Sequence, residues 1–218
     1  MSERMAEFFD TRAMGYDDHM RVNIDNFEEF YTAVTSAIRE DPGKKNVLDL
    51  GCGTGLELQG IFKQLPKAVV TCNDISLNML EQLKQKYYEK SGQINFLIGS
   101  YTQVSFKMMS YDYVISVMTM HHLLPEPKLK LYRKIKDSLK PGGFYIEGDF
   151  VVNENEEQEY LENYLEKMKK NGGKESGEFH LDLPFTIEKQ MKLLQQAGFA
   201  WVKLSWQKPY AAVFICSV

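Results

Sequence analysis

Long apolar runs are missing from this sequence of 218 residues. A membrane span needs about 20 consecutive, predominantly apolar residues, and no stretch approaches that length. The first residues, MSERMAEFFD, carry charges of both signs and lack the apolar segment of a signal peptide. These two absences predict a cytoplasmic protein that has no membrane partner.

Cysteine is scarce, and basic residues are not in excess. The three cysteines, Cys52, Cys72 and Cys216, show no paired metal-binding spacing, so we expect reduced thiols and no metal site. The formal net charge of -4 provides no general attraction to phosphate backbones or anionic membranes. The charge therefore disfavours a nucleic-acid partner, although a local basic patch would escape this count.

What the sequence does contain is an alternation of strand-like and helix-like segments. Its composition, 44% hydrophobic and 26% charged, is typical of a globular protein, and its length favours a single domain over residues 1–218. The predicted strands are NVLDL, AVVTCND, INFLIG, YDYVISVM, FYIEGDFVV, AWVKLSW and YAAVFICSV. Nearly continuous apolar strands separated by helices predict an α/β fold built on a mostly parallel sheet. The short QKP connection before the last strand requires an antiparallel pair.

We divide the predicted domain into four segments. Residues 1–40 are a helical cap, residues 44–152 are the strand-rich core, and residues 186–218 are a C-terminal helix and hairpin. Residues 153–185 are an insertion in which ENEEQEYLENYLEKMKK is a charged helix and NGGKESGE is an exposed loop. Within the core, Ser76 is a candidate N-cap, and KPGG is a stop signal after a helix that starts at Pro125.

The first strand runs into a turn with three alternating glycines, Gly51, Gly53 and Gly55. A glycine turn between a strand and a helix presents free backbone N–H groups to a ligand. The spacing differs from the dinucleotide pattern G-x-G-x-x-G, because Leu56 stands where the third glycine would be. Asp49, just before the turn, would repel a pyrophosphate and attract an ammonium group. These features favour a ligand with a cationic end.

The second strand ends in another acid, Asp74. A carboxylate at this position of an open α/β sheet can accept two hydrogen bonds from a ribose diol. Capping the next helix is an alternative role, and both can hold together. The two strand ends therefore predict a ligand that combines a cationic group with a nucleoside.

The segments VLDLGCGTG, CNDIS, LIGS, YDYVISVMTMHHLL and LKPGGFYIEGDF resemble the class I S-adenosylmethionine-dependent methyltransferases. The resemblance covers residues 44–152 in detail and the C-terminal hairpin in outline. It implies a Rossmann-like, doubly wound, seven-stranded sheet with an antiparallel C-terminal strand. It also implies S-adenosyl-L-methionine bound across the C-terminal strand edges of a cofactor-binding core, residues 44–152. The opening FFDTRAMGYDDHM is similar to the start of many small-molecule members and favours an N-terminal helical lid.

The resemblance also implies a cofactor site. The glycine turn would lie against the methionine and ribose parts, Asp74 would hold the ribose hydroxyls, and Ile75 would lie beside the adenine. Where the family often has an acid for the adenine amino group, this sequence has Ser100 followed by Tyr101. The full predicted set is Tyr16, Asp49, Gly51, Cys52, Gly53, Gly55, Asp74, Ile75, Met79, Ser100, Tyr101 and Met118. For Tyr16, a core-anchoring role is the alternative.

The implied reaction needs no protein nucleophile, because the cofactor supplies the reactive carbon. No catalytic residue follows from the sequence, and the candidates are His121, His122 and Glu147. Either histidine could be a base for an oxygen or nitrogen acceptor, with a structural role as the alternative. Glu147 and Asp149 share one face of the fifth strand, where they could bind an acceptor or remain solvated. The segments around His19 and His180 could also face the pocket.

We predict a small-molecule acceptor, and three alternatives stay open. A tRNA-modifying methyltransferase is disfavoured by the acidic balance and by the lack of interleaved aromatic and basic residues. A catalytically silent, cofactor-binding subunit could dock a partner through residues 154–170. A nicotinamide oxidoreductase is disfavoured by the missing third glycine. The sequence predicts neither the acceptor atom nor the oligomeric state.

Overall fold

The computed structural model describes residues 4–170 and 179–218, and the predicted loop NGGKESGE lies outside them. The strands are β1 (Asn46–Leu50), β2 (Val69–Asp74), β3 (Ile94–Ile98), β4 (Tyr111–Val117), β5 (Leu139–Phe150), β6 (Trp201–Lys208) and β7 (Ala211–Ser217). The helices are α1 (Met5–Arg12), α2 (Tyr16–Asn23), α3 (Phe27–Ser36), α4 (Leu58–Gln64), α5 (Leu77–Lys86), α6 (Pro125–Ser138), α7 (Glu154–Lys170) and α8 (Ile187–Gln196). None of these helices combines the length and apolar character that crossing a membrane would require.

The strands form one sheet in the order β3-β2-β1-β4-β5-β7-β6. Neighbouring strands run parallel, except that β7 is antiparallel to both β5 and β6. This arrangement confirms the predicted Rossmann-like, mostly parallel, seven-stranded sheet with its antiparallel C-terminal strand. The strands β1 and β4 are parallel, but the direction in which the chain adds successive strands to the sheet reverses between them. Open α/β sheets bind their ligands at such a reversal.

Helices cover both faces of the sheet. Helices α3, α4 and α5 pack on one face, where Phe30 is fully buried, and α6 and α8 pack on the other, around Tyr132. Helix α3 approaches β5 so closely that a Cβ on Gly148 would lie 2.6 Å from Cγ2 of Val34. The third helix of the predicted N-terminal cap is therefore a core helix, and α1 and α2 remain as the candidate lid.

Local sequence signals predicted some of the element boundaries correctly. The Ser76 hydroxyl accepts a hydrogen bond from the Met79 N–H and is the N-cap of α5, as predicted. The KPGG stop ends α6 at Ser138, but β5 already begins at Leu139 and runs through these residues, because Leu139 pairs with β4. The hairpin turn is 209–210 rather than QKP, since β6 extends through Lys208.

Candidate active site

A cavity lies at the C-terminal edge of the sheet, beside the reversal between β1 and β4. Helices α1 and α2 contribute to its walls, together with the turn after β1 and the segments that follow β2, β3 and β4. The lining residues are Met5, Phe9, Tyr16, Gly51, Gly53, Asp74, Ile75, Met79, Gly99, Ser100, Tyr101, Thr102, Met118, Thr119, His122 and Leu123.

Two of the three turn glycines line the cavity, and the third supports the turn. Gly51 (φ +63°) leaves no room for a side chain, because a Cβ there would lie 2.4 Å from Thr119 Oγ1. A Cβ on Gly53 (φ +50°) would meet only Tyr16, 3.7 Å from its Cε1, so its absence widens the cavity. A Cβ on Gly55 would collide with the first residue of α4, at 2.8 Å. Close approach of a ligand therefore concerns Gly53, whereas the missing side chains of Gly51 and Gly55 serve the packing of the protein itself.

Asp74 joins the end of β2 to the glycine turn. Its Oδ2 accepts a hydrogen bond from the Gly53 N–H at 2.8 Å, and its Oδ1 accepts one from the Ser76 N–H at 2.8 Å. The helix-capping role belongs to the Ser76 hydroxyl, as described above. Burial raises the pKa of Asp74, because low polarity penalises the charged form. Further donors, such as the two hydroxyls of a ribose, would favour the ionised carboxylate.

Asp49 lies behind the glycine turn and does not line the cavity. It is 1% exposed, and neither carboxylate oxygen accepts a hydrogen bond from the residues that the structure describes. Burial, followed by the charge of the neighbouring Glu57, raises the pKa of Asp49 well above its usual range. Two adjacent buried carboxyls resist double ionisation, so this pair supplies less negative charge to the cavity than the sequence suggested.

The structure brings together most of the predicted cofactor site. All of its residues line the cavity except Asp49, Cys52 and Gly55. The residues that sequence reasoning missed are Met5, Phe9, Gly99, Thr102, Thr119 and Leu123. The sequence could have indicated Thr119, because it lies between Met118, a predicted cofactor residue, and the paired histidines. It could also have indicated Phe9, because this residue lies in the aromatic start of the chain.

Of the three catalytic candidates, His122 alone lines the cavity. His121 lies behind it, with its Nδ1 2.6 Å from Asp149 Oδ1. His180 and Asp182, from the segment after α7, complete a cluster with the two histidines. Burial lowers the pKa of His122, and burial together with the charge of His122 lowers the pKa of His180 to about 4. Burial would raise the pKa of Asp182, but its 3.3 Å contact with His122 Nδ1 and the charges of the histidines hold that pKa below its usual range.

Glu147 belongs to the core rather than to the cavity. It is fully buried, its Oε2 accepts a hydrogen bond from the Tyr145 hydroxyl at 2.6 Å, and its Oε1 accepts one from the Gln190 amide. Burial raises the pKa of Glu147 to about 7. Asp149 shares its strand face but lies two residues nearer the sheet edge, where it reaches the histidine cluster. His19 is exposed on α2 and does not line the cavity.

A second depression lies on the other side of Met118, which lines both spaces. Met118 has φ +50°, a conformation uncommon for a non-glycine residue, and its N–H donates to the Gly148 carbonyl at 2.8 Å. Strained residues of this kind cluster at binding sites. Half of the residues that line the depression are acidic or aromatic, namely Asp25, Phe150, Glu156, Tyr160 and Tyr210. In the described parts of the chain, neither space is lined by a lysine or an arginine.

Known proteins resemble this chain in sequence and in fold. A methyltransferase domain family matches residues 47–143. The chain is 30% identical over 152 residues to the biotin biosynthesis bifunctional protein BioHC of Teredinibacter turnerae, across 65% of this chain and only 25% of that protein. It is 24% identical over 213 residues to a carboxy-S-adenosyl-L-methionine synthase of Nitratiruptor sp., across 92% of this chain and 88% of that protein. The solved DhpI-SAM-HEP complex has a TM-score of 0.70 at 14% identity, across 97% of this chain and 94% of that one, which establishes a shared fold.

Proposed function

Because this chain is a class I S-adenosyl-L-methionine-dependent methyltransferase, we propose that it methylates a small acceptor that carries no negative charge. The observation that carries the proposal is that Met118 lines both the cavity and a neighbouring depression with acidic and aromatic side chains. An acceptor in that depression would lie next to the methionine end of the cofactor, whose sulfonium supplies the activated methyl group.

The cavity wall fits this cofactor. Asp74 offers a carboxylate to the ribose hydroxyls, and Gly53 lets the backbone approach the ligand closely. Ile75 and Met79 offer apolar contact to the adenine. A pyrophosphate is instead best bound by basic side chains, and no lysine or arginine among the described residues lines the cavity.

The protein itself would orient the cofactor and the acceptor and would exclude water from the reaction. Met5 and Phe9 of α1, and Tyr16 at the start of α2, line the cavity on the lid side. Asp10 attaches this lid to the cofactor site, because its carboxylate accepts a hydrogen bond from the Ser76 hydroxyl at 2.6 Å. The lid is thereby tied to the same turn that positions the carboxylate for the ribose.

A second candidate is carboxy-S-adenosyl-L-methionine synthesis, the activity named for a relative that matches most of the chain. Its product, by its name, carries one carboxylate more than S-adenosyl-L-methionine, and such a group is best held by a lysine or arginine. Neither space is lined by one in the described residues, so we rank methyl transfer first. The acidic lining equally disfavours a nucleic-acid acceptor.

Mass spectrometry separates the two candidates. The chain is incubated with S-adenosyl-L-methionine and a panel of small alcohols, thiols and amines, each paired with a carboxylate of similar size. We expect S-adenosylhomocysteine and a methylated product from the neutral or cationic members. Methylation confined to the carboxylates would refute the proposed acceptor class, and a carboxylated cofactor formed with a carboxylic-acid donor would establish the second candidate.

A variant of the depression tests where the acceptor binds. Glu156→Gln removes one charge from its wall, where Glu156 Oε1 accepts a hydrogen bond from the Tyr210 hydroxyl at 3.0 Å. We expect a higher KM for a cationic acceptor and an unchanged affinity for S-adenosylhomocysteine. A KM that does not move would place the acceptor elsewhere.

A further inference from the structure

Three imidazole nitrogens converge on one carboxylate oxygen beside the cavity. Asp182 Oδ1 lies 3.3 Å from His122 Nδ1, 3.8 Å from His121 Nε2 and 3.8 Å from His180 Nε2. One ligand atom each from His121, His122 and Asp182 lies within 4.8 Å of the other two. Both of these histidines are buried, whereas Asp182 is partly exposed.

The cluster is incompletely satisfied by the protein. His122 Nδ1 is buried and lies 3.3 Å from Asp182 Oδ1, yet it forms no hydrogen bond with the residues that the structure describes. A buried, unpaired polar nitrogen costs free energy. A ligand bound between the side chains would remove that cost.

His121 is held as metal-binding histidines usually are. Its Nδ1 is paired with Asp149 Oδ1 at 2.6 Å, and Asp149 is 2% exposed. This pairing fixes the ring and leaves Nε2 directed to Asp182. A carboxylate behind a ligating histidine sets its tautomer and raises its basicity.

We propose that His121, His122 and Asp182 bind a divalent transition-metal ion of the zinc type, with His180 as a further candidate ligand. Imidazole nitrogens with one carboxylate suit zinc, cobalt and iron(II), whereas magnesium and calcium prefer all-oxygen sites. This proposal replaces the expectation of no metal site, which considered only the spacing of cysteines.

The site lies beside the cofactor cavity rather than in it, because His122 lines the cavity whereas His121, His180 and Asp182 do not. The lid contacts the cluster, since the ring of Phe8 stacks on His180 with centroids 3.5 Å apart. A bound ion would therefore hold His122 and the lid in place at the edge of the cofactor site. The metal site itself does not rest on the proposed function.

The test is a metal titration of the full chain without an affinity tag. The protein is stripped with a chelator and titrated with Co²⁺, with calorimetry and visible absorption as readouts. We expect one Co²⁺ per chain, ligand-field bands, and displacement by Zn²⁺. His122→Ala and Asp182→Asn should each weaken binding at least about tenfold, since even residues behind the ligands cost that much. His19→Ala removes an exposed histidine from α2 and should change nothing.

Either of two results would overturn the site. One is a wild-type chain that does not bind Co²⁺ stoichiometrically, and the other is a Co²⁺ affinity that is unchanged in both His122→Ala and Asp182→Asn. Circular dichroism and urea unfolding verify that each variant folds. If the variants do not fold, X-ray absorption of the Zn²⁺-loaded wild-type chain decides, because the site requires at least two imidazoles and a carboxylate. A chain that binds the metal but transfers no methyl group would contradict the proposed function alone.

Discussion

The carboxylate of Asp74 is the most informative single group to remove. In the folded protein it accepts hydrogen bonds from the backbone N–H groups of Gly53 and Ser76, and the resemblance assigns it the ribose hydroxyls as well. Asp74→Ala therefore removes one proposed ligand contact and two observed backbone contacts. The two effects can be measured separately, as ligand affinity and as unfolding free energy.

The ligand effect follows from the strength of hydrogen bonds to a charged group. Losing such an interaction with a diol costs about 1.5–3 kcal/mol, which corresponds to a roughly ten- to hundredfold weaker Kd. The stability effect should be smaller than two lost buried hydrogen bonds suggest, because burial raises the pKa of Asp74 and so makes the native carboxylate costly. Asp74→Asn keeps one acceptor oxygen and should retain more of the stability than of the affinity.

Titration calorimetry with S-adenosylhomocysteine measures the affinity, and urea unfolding without ligand measures the stability. Glu89→Ala is the matched control, because it removes an exposed carboxylate from the turn before β3, at the opposite edge of the sheet. An Asp74→Ala variant that is folded by circular dichroism and binds as tightly as the control would refute the ribose assignment. Asp74 would then act only as a tie between the glycine turn and α5.

Three further predictions test the turn, the lid and the core. Gly51→Ala should abolish cofactor binding or folding, because its Cβ would lie 2.4 Å from Thr119 Oγ1 at a positive φ. The control Gly92→Ala introduces a Cβ that meets no atom within 4 Å, so both calorimetry and urea unfolding should show no change. Amide hydrogen exchange around Tyr16 should slow when S-adenosylhomocysteine binds, and Tyr16→Ala should weaken that binding; exchange indifferent to the ligand would defeat the lid. Glu147 has a pKa raised to about 7 in the folded protein against about 4.3 in an unfolded chain, so its stabilisation is complete below pH 4.3 and is lost as pH rises through 7. Unfolding free energy should therefore fall by about 2–3 kcal/mol between pH 5 and 8, and Glu147→Gln should flatten that slope, an expectation that equal slopes in the two proteins would contradict.

Features that depend on neighbouring residues, or on the rules of parallel sheets, could be predicted from the sequence. The glycine turn follows an apolar strand, and Ser76 caps the helix that starts directly after it. The carboxyl ends of parallel strands meet at one edge, so the meeting of Gly51, Asp74 and Met118 at one cavity followed once the order of the elements was assigned.

The tertiary structure alone decided how deep each side chain lies and which distant segment covers it. Glu147 and Asp149 share a strand face, but Glu147 joins Gln190 of α8 in the core, while Asp149 reaches the histidine cluster. Asp182, which no motif singled out, joins His122 from a segment beyond α7. The sequence by itself determined the turns, caps and alternation of this protein, because these are local; the polar clusters arise where far-apart segments pack, and no local pattern specifies that contact.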